Sequence, residues 1–520
     1  MDLDADLDAP GARDADATRD AELIATILAD ALPSDRCYRL LETRDARFDG
    51  RFFVGVKSTG IFCRPVCPAP TPKSRNCTFW RSAAAAQAAG FRPCLRCRPE
   101  AAPGTPAWLG TAATVSRALR LIEDGALDGD ARVDALADRL GIGDRHLRRL
   151  FDRHLGTNPV AVAKLRRVLF AKQLLDETEL PMTEIANAAG FASQRRFNAC
   201  MREVYDRPPS AIRKARRTTP VQGEAGSLRL SLPYRPPFAW GPLLAFLEMR
   251  AIPGVESIDG ERYTRTLRVG EGVAVMGVEL DAARDRLQID VRLDGPAPLL
   301  DVTTRLRRLF DLDADAVAID AVLGRVRTLA RHVRDVPGVR VPGAVDGFET
   351  AVRAVLGQQV SVKGATTMAG RIVERWGEGV PAGLGSAAGV ERLFPRADDL
   401  VEAPLEEIGL TRARAETIRG LAEAVTRDPS LVEPAAALED GIEAWQALRG
   451  IGPWTAHYVA MRVLREPDAL PVGDLGLRKA ITKKNAAEPA PSAEVEKRLE
   501  RCRPYRAYAA MRLWDTLGDA

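Results

Sequence analysis

The spacing of hydrophobic residues changes along the chain, and each spacing predicts a different kind of structure. Residues 111–217 and 303–520 carry apolar side chains three and four positions apart, which is the period of helices that bury one face. Residues 228–302 contain runs in which apolar and polar side chains alternate, such as residues 262–269, and this pattern predicts strands joined by hairpins. Residues 51–56 form a shorter strand-like run. The chain should therefore fold as several domains of different classes.

Domain boundaries follow from these changes and from two segments rich in turn-forming residues, 101–107 and 218–227. We expect a small α+β domain, an all-α domain, an α+β sheet domain and a larger all-α domain. Their predicted bounds are 25–103, 108–217, 226–302 and 303–520. Residues 1–24 are acidic, lack aromatic side chains and are predicted to be disordered.

Length and composition limit the possible classes of protein. The 520 residues leave room for three or four domains of about 150 residues each. No run of about 20 apolar residues is present, so we expect no membrane span. The acidic start lacks the basic and apolar regions of a secretory signal, and we therefore expect a cytoplasmic protein.

Charge is distributed unevenly, although the net charge of the chain is only +4. Residues 145–217 contain 16 Lys and Arg against 7 Asp and Glu, an excess of 9. A basic block in a nearly neutral chain indicates a local anionic partner such as a nucleic acid. A solvated helical surface without a partner would give the same excess, and charge alone does not separate the two interpretations.

Four of the eight cysteines form two short-range pairs, Cys63 with Cys67 and Cys94 with Cys97. In a chain without a secretory signal such pairs favour a metal over disulfides. Two pairs suit the tetrahedral site that Zn²⁺ prefers, and none of the four histidines lies near them. The sequence therefore predicts one four-cysteine zinc site. Most sites of this type are structural, so zinc alone does not imply catalysis.

The surroundings of the cysteines narrow their role. Residues 58–67 (STGIFCRPVC) and 90–97 (GFRPCLRC) resemble the zinc domain of the Ada family of bacterial adaptive-response regulators, and the resemblance covers residues 35–100. It implies that Cys63 irreversibly accepts a methyl group from a methylphosphotriester in DNA. Zinc would keep this sulfur as the nucleophilic thiolate. Methylation would remove one negative charge, and we hypothesise that it strengthens DNA binding.

Two related segments lie in and beside the basic block. Each supplies the small residue, the turn glycine and the apolar anchor of a helix-turn-helix. These residues are Ala137, Gly141 and Leu147 in the first copy and Ala186, Gly190 and Phe197 in the second. The tandem pair resembles the DNA-binding domain of the AraC family over residues 111–217. The resemblance implies that helices beginning near Asp144 and Ser193 enter successive major grooves. The candidate DNA contacts are Arg145, Arg148, Arg149, Gln194, Arg195 and Arg196. A helical bundle without DNA contacts is the alternative.

A third motif lies near the C-terminus. Residues 448–456 (LRGIGPWTA) fit a helix-hairpin-helix, in which Gly450 and Gly452 allow a tight turn and the next helix, with Thr455, offers backbone N–H groups to a DNA phosphate. Asp474 lies 20 residues beyond Trp454. The superfamily of helix-hairpin-helix base-excision glycosylases places its catalytic aspartate at this distance. Asp474 could instead only cap the following helix, and the sequence leaves both roles open.

The resemblance extends over residues 228–520, which are similar to AlkA-type 3-methyladenine DNA glycosylases nearly throughout. The matching stretches are residues 236–240 (PPFAW), 309–312 (LFDL), 352–361 (VRAVLGQQVS), the hairpin and 503–508 (RPYRAY). It implies a sheet domain followed by an all-α glycosylase domain. It also implies hydrolysis of the N-glycosidic bond of alkylated purines such as 3-methyladenine and 7-methylguanine.

The chemistry of such bases assigns roles to particular side chains. The base is positively charged, so its bond to the sugar is already weak, and Asp474 would stabilise the oxocarbenium-like sugar of the flipped nucleotide. An aromatic pocket would attract the cationic base. By the resemblance its members are Trp454, Tyr458, Trp514 and Phe246, each of which could alternatively be a core residue.

Three positions refine this expectation. Trp454 stands where bifunctional relatives carry a lysine, so no Schiff base can form and we predict a monofunctional glycosylase. Gln359 stands where the family has a leucine that wedges into DNA. A glutamine can still fill the gap left by a flipped nucleotide, although it is less apolar. Gln358 and Gln359 are both predicted to bind DNA.

Together these observations predict a bacterial, nucleoid-associated alkylation-repair protein that is also a single-turnover methyl acceptor and a transcription regulator. The expected cofactor is Zn²⁺, and the expected partners are alkylated DNA, promoter DNA and RNA polymerase. We expect a monomer. The alternative is a non-enzymatic zinc-containing regulator with an inactive glycosylase scaffold. Hydrolysis at the zinc is disfavoured because four cysteines leave no open metal position.

Overall fold

The computed structural model describes ten stretches of the chain, which are residues 34–45, 48–97, 99, 113–128, 131–216, 226–295, 298–385, 389–433, 438–482 and 488–517. The predicted acidic tail and the predicted linker 101–107 lie outside these residues, as does most of the linker 218–227. Within the described part of the chain, no helix combines the length and the apolar character needed to cross a membrane.

The first domain is a small four-stranded sheet flanked by two helices. In chain order its elements are α1 (Ser34–Thr43), β1 (Phe53–Val56), β2 (Ile61–Cys63), β3 (Cys77–Trp80), α2 (Ala83–Ala88) and β4 (Arg92–Pro93). The strand order is β3-β1-β2-β4, with only the β2–β4 pair parallel. Gly55 in β1 lies so close to Trp80 and Phe91 that a Cβ atom would approach them within 2.8 and 2.9 Å. The strand predicted in residues 51–56 is confirmed as β1.

The second domain is all-α, as predicted. Its helices are α3 (Ala113–Glu123), α4 (Val133–Arg139), α5 (Asp144–Leu155), α6 (Pro159–Glu177), α7 (Met182–Ala188), α8 (Gln194–Tyr205) and α9 (Pro209–Lys214). The turn glycines Gly141 and Gly190 have φ angles of +66° and +74°, which favour glycine. The anchors Leu147 and Phe197 are fully buried. The two predicted helix-turn-helix units are therefore present, and α6 connects them.

The third domain is a five-stranded antiparallel sheet with one helix. Its elements are β5 (Leu228–Pro233), α10 (Trp240–Glu248), β6 (Glu256–Asp259), β7 (Arg262–Val269), β8 (Gly272–Asp281) and β9 (Arg286–Leu293). The strand order is β5-β9-β8-β7-β6, so β6 to β9 follow one another as hairpins while β5 pairs with the last strand. The alternating pattern predicted the strands, and the structure adds α10.

The fourth domain is a set of helices joined by connections that range from short turns to a segment of 20 residues between Trp376 and Ala397. They are α11 (Leu299–Leu309), α12 (Ala316–Leu323), α13 (Ala330–Asp335), α14 (Gly347–Leu356), α15 (Val362–Trp376), α16 (Ala397–Leu400), α17 (Arg412–Arg427), α18 (Leu438–Gln446), α19 (Pro453–Arg462), α20 (Leu475–Ala480), α21 (Ser492–Leu499) and α22 (Arg506–Asp515). The hairpin lies between α18 and α19, and the predicted catalytic acid immediately precedes α20.

The four domains share buried apolar surface. One continuous cluster of buried side chains contains Phe62 of the first domain, Leu174 of the second, Val278 of the third and Leu356 of the fourth. The first helix-turn-helix unit has a separate cluster around Leu147. Because burial of apolar surface is the main favourable term in folding, this shared cluster joins the domains into one packed molecule.

Candidate active site and DNA-binding surfaces

Asp474 both caps a helix and accepts hydrogen bonds from aromatic side chains. It is the N-cap of α20, and its Oδ1 accepts a hydrogen bond of 2.9 Å from the backbone N–H of Leu477. Its two carboxylate oxygens also accept hydrogen bonds from indole nitrogens, Oδ2 from Trp454 at 3.0 Å and Oδ1 from Trp514 at 2.8 Å. Capping is a usual role for aspartate. The indole bonds show that capping is not its only role in the fold.

Three aromatic side chains form a group next to this carboxylate. Trp454 and Tyr458 lie one turn apart on α19, and their rings stack with centroids 5.4 Å apart at an angle of 19°. Trp514 on α22 lies 6.3 Å from the Tyr458 ring. All three are half-buried. Because such rings present a negative face, the arrangement can hold a flat cationic group beside the carboxylate.

Two arginines, Arg250 and Arg462, contact the aromatic residues of the predicted base pocket. Arg462 Nη1 donates a hydrogen bond of 2.7 Å to the hydroxyl of Tyr458. Phe246 is buried, with the guanidinium carbons of Arg250 and Arg462 at 3.8 and 4.9 Å from its ring centre. Burial alone would raise the pKa of Tyr458, but the charges of Arg462, Arg250 and Arg353 outweigh it and lower that pKa. Arg462 therefore lies against both Phe246 and Tyr458, and it links Phe246 to the other aromatic residues.

The hairpin has the geometry that its glycines predict. Gly450 has a φ of +83°, and a Cβ atom there would come within 2.0 Å of Thr417 Oγ1, so only glycine fits. Gly452 is exposed and is the N-cap of α19, which begins with Pro453. The first N–H groups of a helix have no partner within it, so Trp454 and Thr455 present backbone donors at this end.

The loop before α15 is bonded to the hairpin. Gln358 Nε2 donates to the carbonyl of Gly450 at 3.1 Å and to Thr455 Oγ1 at 2.9 Å, and the Gln358 carbonyl accepts from Arg414 at 2.6 Å. Thr455 as a whole is only 2 % exposed. The side chains of Gln358 and Thr455 thus contact each other, so a DNA contact of Thr455 would have to use its backbone.

Gln359 lies at the tip of this loop. It is exposed, and its φ of +55° is unusual for a residue other than glycine. The next residue, Val360, is 43 % exposed, which is high for an aliphatic side chain. The side-chain bonds of the preceding residue, Gln358, hold the loop against the hairpin. Gln359 and Val360 are therefore exposed at the tip of a loop whose preceding residue is bonded to the hairpin.

The four predicted zinc ligands come together in space. The sulfur atoms of Cys63, Cys67, Cys94 and Cys97 all lie within 4.8 Å of one another. A tetrahedral zinc with bonds of about 2.3 Å would place its sulfurs about 3.8 Å apart, so the cluster fits the ion. Cys63 is half-buried, whereas the other three are buried. These thiolates form the Zn²⁺ site.

Backbone donors support the cluster. The N–H of Arg64 points at Cys97 Sγ from 3.3 Å, and the N–H of Arg96 points at Cys94 Sγ from 3.4 Å. Hydrogen bonds to charged acceptors are stronger than neutral ones, so these donors favour thiolates over thiols. Neither donor bonds Cys63, which is the half-buried residue of the four.

The predicted DNA contacts of the second domain are all exposed, on two helices. Arg145, Arg148 and Arg149 lie on α5, and Gln194, Arg195 and Arg196 lie in the first turn of α8. Asn198 and Arg202 lie four and eight positions beyond Gln194 and line the same open depression as Gln194 and Arg195. Residues four apart share a helix face, so this spacing identifies two further candidate contacts.

Known protein families match the chain in four consecutive segments. Their profiles are those of the metal binding domain of Ada at residues 36–100, a helix-turn-helix domain at 136–215, the AlkA N-terminal domain at 229–346, and the HhH-GPD superfamily of base excision DNA repair proteins at 352–504.

One relative matches almost the whole chain. It is the probable bifunctional transcriptional activator/DNA repair enzyme AlkA of Mycobacterium tuberculosis (strain ATCC 25618 / H37Rv), which is 42 % identical over 492 residues, covering 93 % of this chain and 96 % of the relative. The chain belongs to the family of Ada–AlkA fusion proteins. The recognition of both parts from sequence is thereby confirmed.

Two further relatives each match one part of this fusion protein. DNA-3-methyladenine glycosylase 2 of Escherichia coli (strain K12) is 32 % identical over 294 residues, which cover 55 % of this chain and 97 % of the relative. The bifunctional transcriptional activator/DNA repair enzyme Ada of the same strain is 37 % identical over 163 residues, which cover 31 % of this chain and 44 % of the relative. The fusion protein therefore spans less than half of Ada.

Several residues at the site were not predicted from the sequence. Arg462 follows Tyr458 by four positions, and Arg250 follows Phe246 by four, so helical spacing could have identified both. The indole bonds to Asp474 could not have been found in this way, because Trp514 is 40 positions away in sequence.

Proposed function

We propose that this protein removes alkylated purines from double-stranded DNA by hydrolysing their N-glycosidic bonds. The observation that supports this most is the carboxylate of Asp474, held by the indoles of Trp454 and Trp514 beside stacked aromatic rings. A relative over the C-terminal part is named DNA-3-methyladenine glycosylase 2. A carboxylate beside an aromatic surface is what a flipped, positively charged nucleotide requires.

The proposed reaction uses the positive charge of the substrate. The alkylated base leaves the helix and lies against the rings of Trp454 and Tyr458. The bond between its nitrogen and the anomeric carbon breaks, and the bonding electrons neutralise the base. Asp474 stabilises the positive charge that develops on the sugar. Water then adds to the anomeric carbon and loses a proton, which leaves a free base and an abasic site.

The hairpin and the loop tip would position the DNA. Backbone N–H groups at the start of α19 suit a phosphate oxygen, since the positive end of a helix favours an anion. Gln359 at the exposed loop tip would fill the gap that the flipped nucleotide leaves. Trp454 provides no amine, so the abasic strand would remain intact and the enzyme would be monofunctional.

Single-turnover release of 3-methyladenine from methylated duplex DNA tests the proposal. We expect Asp474→Asn to keep the helix cap and the fold but to lower the rate at least about a hundredfold, because it removes the negative charge that faces the sugar. Asp440→Asn, which changes an exposed carboxylate on α18, is the matched control. Release by the Asp474→Asn protein at the normal rate would contradict the assignment. Absence of release by the unaltered protein would favour the inactive-scaffold alternative.

We also propose that Cys63 accepts a methyl group from a methylphosphotriester. The supporting observation is that Cys63 is the half-buried residue of a cluster whose other three residues are buried. Its sulfur would attack the methyl carbon while the phosphate oxygen leaves with the bonding electrons, giving a thioether and an ordinary phosphodiester. A four-thiolate zinc site carries a charge near −2, so this step would reduce its repulsion of DNA by one charge.

Mass spectrometry after incubation with methylated DNA tests the methyl transfer. One added methyl group should be found on the peptide that contains Cys63. Cys63→Ser should abolish it, while Cys77→Ser, which changes a half-buried thiol outside the cluster, should not. A methyl group on any other cysteine would contradict the proposal. The exposed arginines of α5 and α8 support the proposal that the protein also binds promoter DNA. Binding to RNA polymerase and a monomeric state stay predictions.

A further inference from the structure

The segment that carries Asp474 is held by α3, the first helix of the second domain. This segment, residues 463–474, joins the end of α19 to the start of α20 and so connects the aromatic residues to the catalytic carboxylate. Near its start, Arg465 has a φ of +59°, a conformation that residues with side chains adopt only when their surroundings hold them. Glu466 follows and is 6 % exposed.

The contacts that hold Arg465 and Glu466 come from α3. Arg120 Nη2 donates a hydrogen bond of 2.7 Å to Glu466 Oε1, and the two side chains are 4 % and 7 % exposed. Arg117 lies 3.5 Å from the same oxygen. Backbone contacts run in both directions, because Arg120 Nη1 donates to the Arg465 carbonyl at 3.3 Å and Arg465 Nη2 donates to the Arg120 carbonyl at 3.4 Å.

A second acidic residue extends the same contact. Asp124, just after α3, accepts a hydrogen bond from Arg465 at 3.1 Å and forms an ion pair with Arg308 of α11. The second and fourth domains therefore each contribute positive and negative side chains to the contact between them. A cavity of about 40 Å³ lies among these groups, which is space for a few water molecules rather than for a ligand.

The charges in the contact between α3 and Glu466 are buried, so losing the contact would be costly. If α3 moved away, Glu466 would lose Arg120 and Arg117 together. Removing one partner of a buried ion pair is strongly destabilising, because it leaves an uncompensated charge. The segment has other supports beyond Glu466, since Arg506 bonds Asp468 at 2.9 Å and His457 accepts from the backbone of Leu470 at 3.3 Å. Loss of the α3 contact should therefore loosen the segment without unfolding the domain.

We infer that Arg120 is a positioning residue of the glycosylase: through Glu466 it fixes the segment that places Asp474 beside the aromatic rings. The second domain, which holds the helix-turn-helix units, is thus a structural part of the active site. This inference rests on the proposed glycosylase activity, but the contact itself can be measured independently of that activity.

The experiment compares full-length variants by two readouts. Arg120→Ala should lower single-turnover release of 3-methyladenine about tenfold and should speed amide hydrogen exchange in residues 464–474. Arg120→Lys keeps one charge–charge contact. Its rates of base release and of hydrogen exchange should lie between those of the Ala variant and the unaltered protein. Because Arg120 and Glu466 act through one contact, the double variant Arg120→Ala with Glu466→Gln should be no slower than the slower single variant.

Arg139→Ala is the matched control. Arg139 also pairs with a residue of the fourth domain, Glu433, but the pair is 33 % and 38 % exposed and lies outside the segment. It should leave both readouts unchanged. Unchanged exchange and base release in Arg120→Ala would overturn the inference, as would additive losses in the double variant. If the unaltered protein released no base, the proposed function would fail, while hydrogen exchange would still decide whether Arg120 holds the segment.

Discussion

The indole nitrogen of Trp514 donates a hydrogen bond of 2.8 Å to Oδ1 of Asp474. Trp454 bonds the other carboxylate oxygen at 3.0 Å, so donors from α22 and α19 hold the carboxylate from two sides. Its orientation is therefore set by the protein before any nucleotide enters. Preorganisation of this kind removes the cost of turning a charged group towards the sugar during the reaction.

The first prediction concerns this bond. Trp514→Phe keeps an aromatic ring beside Tyr458 but removes the indole donor to Asp474. Hydrogen bonds to charged groups contribute about 1.5–3 kcal/mol, so we expect single-turnover base release to slow at least about tenfold. Affinity for DNA containing an abasic site should change little, because the hairpin and the loop tip are untouched.

Trp376→Phe is the control for the loss of an indole. Trp376 is half-buried at the end of α15 and should leave the rate of base release unchanged. A Trp514→Phe protein as fast as the unaltered enzyme would show that Trp454 alone orients the carboxylate.

The second prediction concerns the loop tip. Gln359→Ala shortens the side chain that is proposed to occupy the gap in the duplex. Release of 3-methyladenine from duplex DNA should fall several-fold, whereas release from single-stranded DNA should not, since there is no partner strand and no stack to hold open. Both rates can be measured under single-turnover conditions. Val360→Ala shows whether the neighbouring exposed valine shares the role, and an equal loss on both substrates would argue against a wedge.

Local chemistry was predictable from sequence, and long-range contacts were not. The two cysteine pairs, the hairpin glycines and the turn glycines of the second domain each belong to a motif of a few neighbouring residues, so spacing alone reveals them. Thr455 was predicted to offer its backbone N–H group to DNA, and that role stays a prediction. The hydrogen bond that its side chain accepts from Gln358, 97 positions earlier, could not be predicted from local spacing. Arg120 and Glu466 are 346 positions apart, and no local pattern predicts their contact.

The third prediction concerns promoter recognition. Arg195 is exposed in the first turn of α8, and it lines the same depression as Asn198 and Arg202. If Arg195 binds a phosphate, Arg195→Ala should weaken promoter binding and reduce the slope of log affinity against log salt by about 0.9. Titrations at several salt concentrations measure the slope. Arg132→Ala, an exposed arginine before α4, should leave it unchanged. A loss of affinity with an unaltered slope would instead indicate a contact to a base.

The last prediction concerns pH and the stability of the fourth domain. Burial raises the pKa of Asp311 to about 7, although Arg340 and the hydroxyl of Tyr508 oppose the shift. In the unfolded chain the same carboxyl has a pKa near 3.9, so the folded state binds its proton more tightly. Below about pH 4 the group is protonated in both states and has no effect. As the pH rises towards 7 the unfolded state ionises while the folded state resists, and the protein loses stability.

Asp311→Asn should remove this pH-dependent loss. Asn tolerates the φ of +49° at this position, and its carbonyl oxygen can accept the bonds that Asp311 Oδ2 accepts from Tyr508 and from the Val341 backbone. The midpoint of thermal unfolding of the variant, relative to the unaltered protein, should therefore rise between pH 5 and 7 and stay constant above it. Asp138→Asn, which removes an exposed carboxylate from α4, is the control. A difference between Asp311→Asn and the unaltered protein that is constant from pH 5 to 8 would show that Asp311 ionises as readily in the folded state as in the unfolded chain.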